Sequence, residues 1–99
     1  MSIIEERLDI REIFKTNLRY YRLKNKMTQE DLAFNSDSSD KYISDLERGI
    51  FSPSLEKLEE LAAALNIETY LLLKHDEEHL NVPNRLDLVT KTRKSKRIH

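Results

Sequence analysis

The chain has no cysteine, which excludes disulfide staples and thiolate metal sites and suits a reducing compartment. It has one glycine and two prolines in 99 residues, too few for the many tight turns of a sheet-rich fold. That scarcity favours an all-α architecture and leaves no glycine-rich loop to cradle a phosphate. No apolar run approaches the ~18 residues of a membrane span, and the N-terminus has no signal-peptide pattern. The expectation is a cytoplasmic protein with no membrane partner. With 38% apolar and 35% charged residues, the chain has material for one domain with a small core.

An excess of one charge is also missing overall: the formal net charge is −1. That balance hides an asymmetry. Residues 1–78 carry 11 Lys/Arg against 17 Asp/Glu, whereas residues 79–99 carry 6 against 1. A nucleic-acid-binding domain usually has a basic excess, and here the excess sits in the C-terminal stretch. The expected organisation is a domain over residues 8–74 and a basic, flexible extension over 75–99.

Helical periodicity runs through the first part. Residues 8–25 read as a helix with Ile10, Phe14, Leu18 and Tyr21 on one face. Arg11, Lys15, Arg19, Arg22, Lys24 and Lys26 lie on the other, either as a solvated face or as a surface near phosphate. Thr28 and Asp31 approximate a capping box for a second helix over 29–35. Ser36-Asp37-Ser38 is a turn by composition. A third helix, capped by Ser38 or Ser39, runs to about Glu47 and stops at Gly49. Two short amphipathic helices joined by a polar turn can set the second of them in the DNA major groove. A fourth helix over 54–65 carries Leu55, Leu58, Leu61, Ala62 and Leu65. A short fifth over 69–74 holds Tyr70, Leu71, Leu72 and Leu73, more apolar surface than one core face absorbs. Tyr70, Leu71 and Leu73 are therefore candidates for a homodimer interface.

Residues 14–73 resemble the phage-repressor/Cro-type (xenobiotic-response-element) helix-turn-helix family in five stretches. These are the apolar and Arg positions of helix 1, Met27-Thr28-Gln29-Glu30-Asp31-Leu32-Ala33, Tyr42-Ile43-Ser44 through Leu46-Glu47-Arg48-Gly49, Pro53-Ser54-Leu55-Glu56-Lys57-Leu58, and Ala63-Ala64-Leu65-Asn66-Ile67. The Thr-Gln-Glu-Asp-Leu-Ala and Tyr-Ile-Ser strings look especially like restriction–modification controller proteins. The resemblance implies a five-helix repressor-like bundle that binds double-stranded DNA as a transcription regulator. It implies that Gln29 meets a phosphate and that Arg22 and Glu47 form a buried pair joining helix 1 to helix 3. It places Ser39, Asp40, Lys41, Ser44 and Asp45 toward base edges. Thr28, at a helix N-terminus suited to phosphate, and Arg48 join the DNA-binding set. Tyr42 either offers its hydroxyl to a phosphate or fills the core edge.

Asp37 and Ser38 depart from the family, which commonly has Gly and an apolar residue there. Asp37, Asp40 and Asp45 put acids where phosphates approach, and that acidity keeps a protein-interaction role, with a protein partner, as the alternative. His75 and His79 stand four apart, but Glu does not directly follow the first His as the zinc-protease pattern requires. Both are expected to be surface polar residues, with no metal, no cofactor and no enzymatic activity. The basic stretch 91–97 has three readings: DNA backbone, an acidic partner, or solubility.

Overall fold

The computed structural model describes residues 9–81. These form four α-helices, α1 (Ile10–Lys24), α2 (Gln29–Asn35), α3 (Asp40–Glu47) and α4 (Leu55–Leu65), then two short 3-10 helices at Thr69–Leu73 and Glu77–Asn81. No strand occurs among the described residues. The fifth helix expected at 69–74 is thus a 3-10 turn, held by Leu71 N–H donating to Glu68 C=O at 3.1 Å. Five residues give an α-helix little room to repay its nucleation.

Each α-helix starts on a side-chain cap, which explains why the boundaries of α2, α3 and α4 were readable. Asp9 accepts from Arg11 N–H, Ser39 from Tyr42 N–H and Ser54 from Lys57 N–H. At α2, Thr28 Oγ1 accepts from Asp31 N–H at 3.0 Å while Asp31 Oδ2 accepts from Thr28 N–H at 2.9 Å. The capping box closes with Asp in place of Glu.

The helix ends are less ordinary. Met27 N–H donates to Arg22 C=O, Ser38 to Ala33, Ile50 to Asp45 and Ile67 to Ala62, the long bond of the Schellman stop in all four cases. Such a stop wants a left-handed residue, and the chain has one glycine to supply. Gly49 serves α3 at φ +79°, whereas Lys26, Asp37 and Asn66 serve the others at φ 59°, 57° and 60°. Asn and Asp tolerate this region better than most side chains; lysine has no such excuse.

The core joins Phe14 and Leu18 of α1 to Leu32 and Ala33, Ile43 and Leu46, then Leu58, Leu61, Ala62 and Leu65, with Leu72 closing it. Two expected core residues lie outside it: Ile10 is 53% and Leu55 77% exposed. Each is the first residue of its helix, one turn beyond the buried stripe.

Two polar devices tie this body together. The first is Arg22, 1% exposed, whose Nε and Nη2 donate to Glu47 Oε2 and Oε1 at 2.6 and 2.9 Å while Nη1 donates to Met27 C=O at 2.9 Å. The second is Asn17, whose Nδ2 faces the carbonyls of Leu71, Leu72 and Lys74 at 3.3, 2.9 and 2.9 Å. That leaves Asn17 Oδ1 to accept from His79 Nδ1–H at 2.6 Å. His79, expected on the surface, is buried and stacked on Tyr20 at 3.6 Å between ring centroids. Packing therefore continues past Lys74. Residues 82–99, with the basic stretch 91–97, lie outside the described residues.

Two outcomes follow. Arg22→Met strips the buried Glu47 of its cation and is expected to cost about 3–5 kcal/mol in urea unfolding, most of which returns when Glu47→Leu is added. A loss below about 1 kcal/mol would deny the pair its bracing role. Burial, foremost, holds the His79 imidazole below its ordinary value; Lys24 and Lys74 add to this, while Asp76 and Glu78 oppose it. A depressed pKa means the unfolded chain binds the proton first. His79 docking is then intact above about pH 6.5 and is lost as pH falls through the folded value. Ring-proton NMR should give a midpoint below about 6.5; a midpoint above it would mean that the Asp76 attraction dominates.

Candidate nucleic-acid interface

The interface is built on α2, its turn and α3. Ile43 and Leu46 are fully buried, and this anchor on one side of α3 decides what the other side presents. Asp40, Lys41 and Arg48 are exposed and Ser44 is half-buried; residues 41, 44 and 48 follow one another on one helical face. Ser39, also exposed, spends one lone pair capping the helix at 3.0 Å and keeps its hydroxyl proton. Tyr42 is half-buried, packed on the core edge and on the Phe51 ring at 6.4 Å between centroids. The hydrophobic loop Ile50-Phe51 is half exposed beside it.

Asp45 is not where a base-reading residue would be. It is 3% exposed, with Lys41 Nζ 2.9 Å from Oδ2 and Arg48 Nη1 3.5 Å from Oδ1. The expected outward position is corrected: residue 45 falls on the flank of the buried stripe, and its carboxylate is shared by two cations that themselves reach solvent. The acidity expected of this surface is reduced accordingly, leaving Asp37 and Asp40 exposed. Asp40 sits in the first turn of α3, where the helix dipole favours an acid.

Behind α3, Gln29 is half-buried and its Nε2 donates to Glu47 Oε1 at 3.2 Å. Gln29 thus links the start of α2 to the Arg22–Glu47 pair, with a second amide proton left over. Thr28 is half-buried and engaged in the capping box. Away from this face, Tyr70 is 64% and Leu73 38% exposed, while Leu71 is half-buried and Leu72 fully buried.

Sequence reasoning missed Asn17, His79 and Lys57 as organising residues. Lys57 Nζ reaches the turn between α2 and α3, contacting Ser36 C=O, Asp37 C=O and Ser38 Oγ at 3.1, 3.3 and 3.1 Å. No local pattern announces a contact across some twenty residues. The buried Asn17 amid Phe14 and Leu18 was the one visible hint, a polar residue on the apolar face of α1.

No helix among the described residues is long and apolar enough to cross a membrane. A helix-turn-helix family model matches residues 18–72. Over 66 residues the chain is 42% identical to the control protein C.BamHI of Bacillus amyloliquefaciens, covering 66% of this chain and 82% of the relative. The hypothetical transcription factor NHTF from Neisseria has a similar structure (TM-score 0.68, 33% identity, 73% of this chain and 83% of that one). So does the restriction-modification controller protein C.AhdI from Aeromonas hydrophila (TM-score 0.61, 37% identity, 63% and 94%). A matched segment that spans α2, the turn and an α3 with its outward cations agrees with those likenesses, and the chain belongs to the helix-turn-helix family of DNA-binding transcription regulators.

Proposed function

We propose that this regulator works as a homodimer that lays α3 of each copy in successive major grooves of a partly palindromic operator. The observation that carries the reading is the placement of Lys41 and Arg48 on the exposed side of α3, each beside the buried Asp45 carboxylate. Lys41, nearer the start of α3, is assigned to guanine O6/N7. Arg48, at its C-terminal cap, is assigned to a phosphate. Ser39, Asp40 and Ser44 supply the remaining polar contacts to bases, with Asp40 suited to cytosine N4. Thr28, Gln29 and Tyr42 set register on the backbone from the α2 N-terminus and the edge of α3.

Dimerisation is supported by the Thr69–Leu73 turn, where Leu72 anchors the segment and leaves Tyr70 and Leu73 outward, with Leu71 between them. A single copy presents few cations to phosphate, so two linked copies gain what one lacks. The likeness to two controller proteins supports an autonomous regulator of this type. Residues 8–74 would form the DNA-binding unit, and the basic stretch 91–97 would add backbone affinity without sequence preference.

The test is selection from random duplexes by the full-length chain at low salt. The expected product is a pair of related half-sites with centres roughly 34–36 Å apart. Lys41→Ala should relax one half-site position and weaken binding by about tenfold, whereas Arg48→Ala should lower the salt slope by about one with the sequence preference intact. No enrichment at low ionic strength would overturn the reading in favour of a protein partner. Sedimentation at micromolar concentration should give the mass of a dimer, and the Tyr70→Glu, Leu73→Glu double variant that of a monomer; a wild-type monomer that still selects paired half-sites would move assembly onto the DNA.

A further inference from the structure

We propose that Lys57 of α4 is a positioning residue for the reading helix, a cation borrowed from another element to hold the α2–α3 turn in its left-handed conformation. The proposal rests on α3 being the helix that reads DNA, as argued above.

The turn has a specific difficulty. Asp37 is the stop residue of α2 at φ 57°, a region Asp tolerates better than most side chains, but its carboxylate adds negative charge at the negative end of a helix dipole. α2 has no basic residue in its last turn. The other stops lack this combination of an acid and a missing terminal cation: α1 carries Arg22 and Lys24 in its last turn, and α3 and α4 stop on the uncharged Gly49 and Asn66. At α2 the relief comes from Lys57, whose side chain is only 21% exposed. Its ammonium meets the Ser36 and Asp37 carbonyls, which lack intrahelical partners, and the Ser38 hydroxyl, within 3.3 Å. Glu60 Oε1, 2.6 Å away on the same helix, holds the ammonium from behind. Since α3 begins at Asp40, any rotation at Asp37 swings the entire reading face relative to α2.

Lys57→Met keeps the stem and removes the charge. In the full chain it is expected to raise the exchange rate of the Ser38 amide, which closes the α2 stop onto Ala33 at 2.8 Å, by about tenfold. The equivalent Met27 amide at the α1 stop should be unmoved. Affinity for the selected duplex should fall by about tenfold with the salt slope unchanged, since no phosphate contact is lost. Adding Asp37→Gly, which adopts positive φ freely, should reduce both effects to about threefold or less. Unchanged Ser38 exchange would overturn the proposal. So would a salt slope lower by about one, which would make Lys57 a direct phosphate contact. If the wild-type chain selects no duplex, the DNA reading fails on its own account, while Ser38 exchange still decides whether Lys57 holds the turn.

Discussion

The bidentate bond between Arg22 and Glu47 is the constraint on which the placement of α3 depends. Its two charges are 1% and 5% exposed, and taking them out of water costs about what their attraction returns. What remains is geometry. The guanidinium fork fixes the Glu47 carboxylate in plane, its third nitrogen fixes the loop at Met27, and Glu47 in turn holds Gln29. Four segments, α1, the loop after it, α2 and α3, therefore meet at one planar group. Apolar packing of Ile43 and Leu46 could be satisfied with α3 slid or rolled by a fraction of a turn; the fork could not. For the role proposed for α3, delivering side chains to base edges, this second kind of restraint matters more than extra stability.

The four helix stops pose a related problem of conformation rather than position. One glycine for four left-handed residues leaves three positions carrying a side chain where backbone sterics resist it. Two of these, Asp37 and Asn66, are residue types whose short polar groups soften the penalty. Lys26 is not, and it sits between the α1 end and Met27, whose carbonyl Arg22 occupies. The same fork that aligns α3 also lies next to this strained turn. Strain of this sort persists where neighbouring structure over-determines the backbone, and around Lys26 the neighbouring structure is Arg22.

What was legible in the sequence was what local chemistry decides. The Thr28/Asp31 box and a serine at 38 or 39 announce helix starts because capping acts within three residues, and Ser54, read as the first residue of its helix, is the cap one position earlier. Leu18, Leu32, Ile43, Leu46 and Leu61 announce the core because their period matches the helix. Contacts between distant elements were not legible. Asp45 has the composition of a surface residue, and only the rotation of α3 in the assembled body turns it inward between Lys41 and Arg48. His79 belongs to a polar run, and its burial depends on an Asn17 amide already oriented by three carbonyls from another segment. Ile10 and Leu55 show the reverse error: both keep the apolar period, yet each begins its helix one turn beyond the core. Arg22 and Glu47 were assigned to one another through family resemblance, since nothing in their spacing of twenty-five residues selects the pair.

Several of the carboxylates behind the acidic balance of residues 1–78 are bound inside the body. Glu47 is bound by Arg22, Asp31 closes the α2 capping box, Asp45 is shared between Lys41 and Arg48, and Glu60 pairs with Lys57. Pairing takes up charges of both signs and leaves the net balance of the body acidic, so what decides approach is the set of charges at the outer face of α3 itself. There the exposed cations Lys41 and Arg48 stand against the exposed Asp37 and Asp40 and the buried Asp45 that both cations share. A face so nearly balanced provides little of the non-specific pull that phosphate neutralisation normally gives. In the homodimer proposed above, affinity then rests on base contacts and on the second copy, which makes discrimination between sequences a larger share of the total binding energy. For a small regulator that has to find one operator among many competing sites, weak attraction to the rest of the duplex is an advantage.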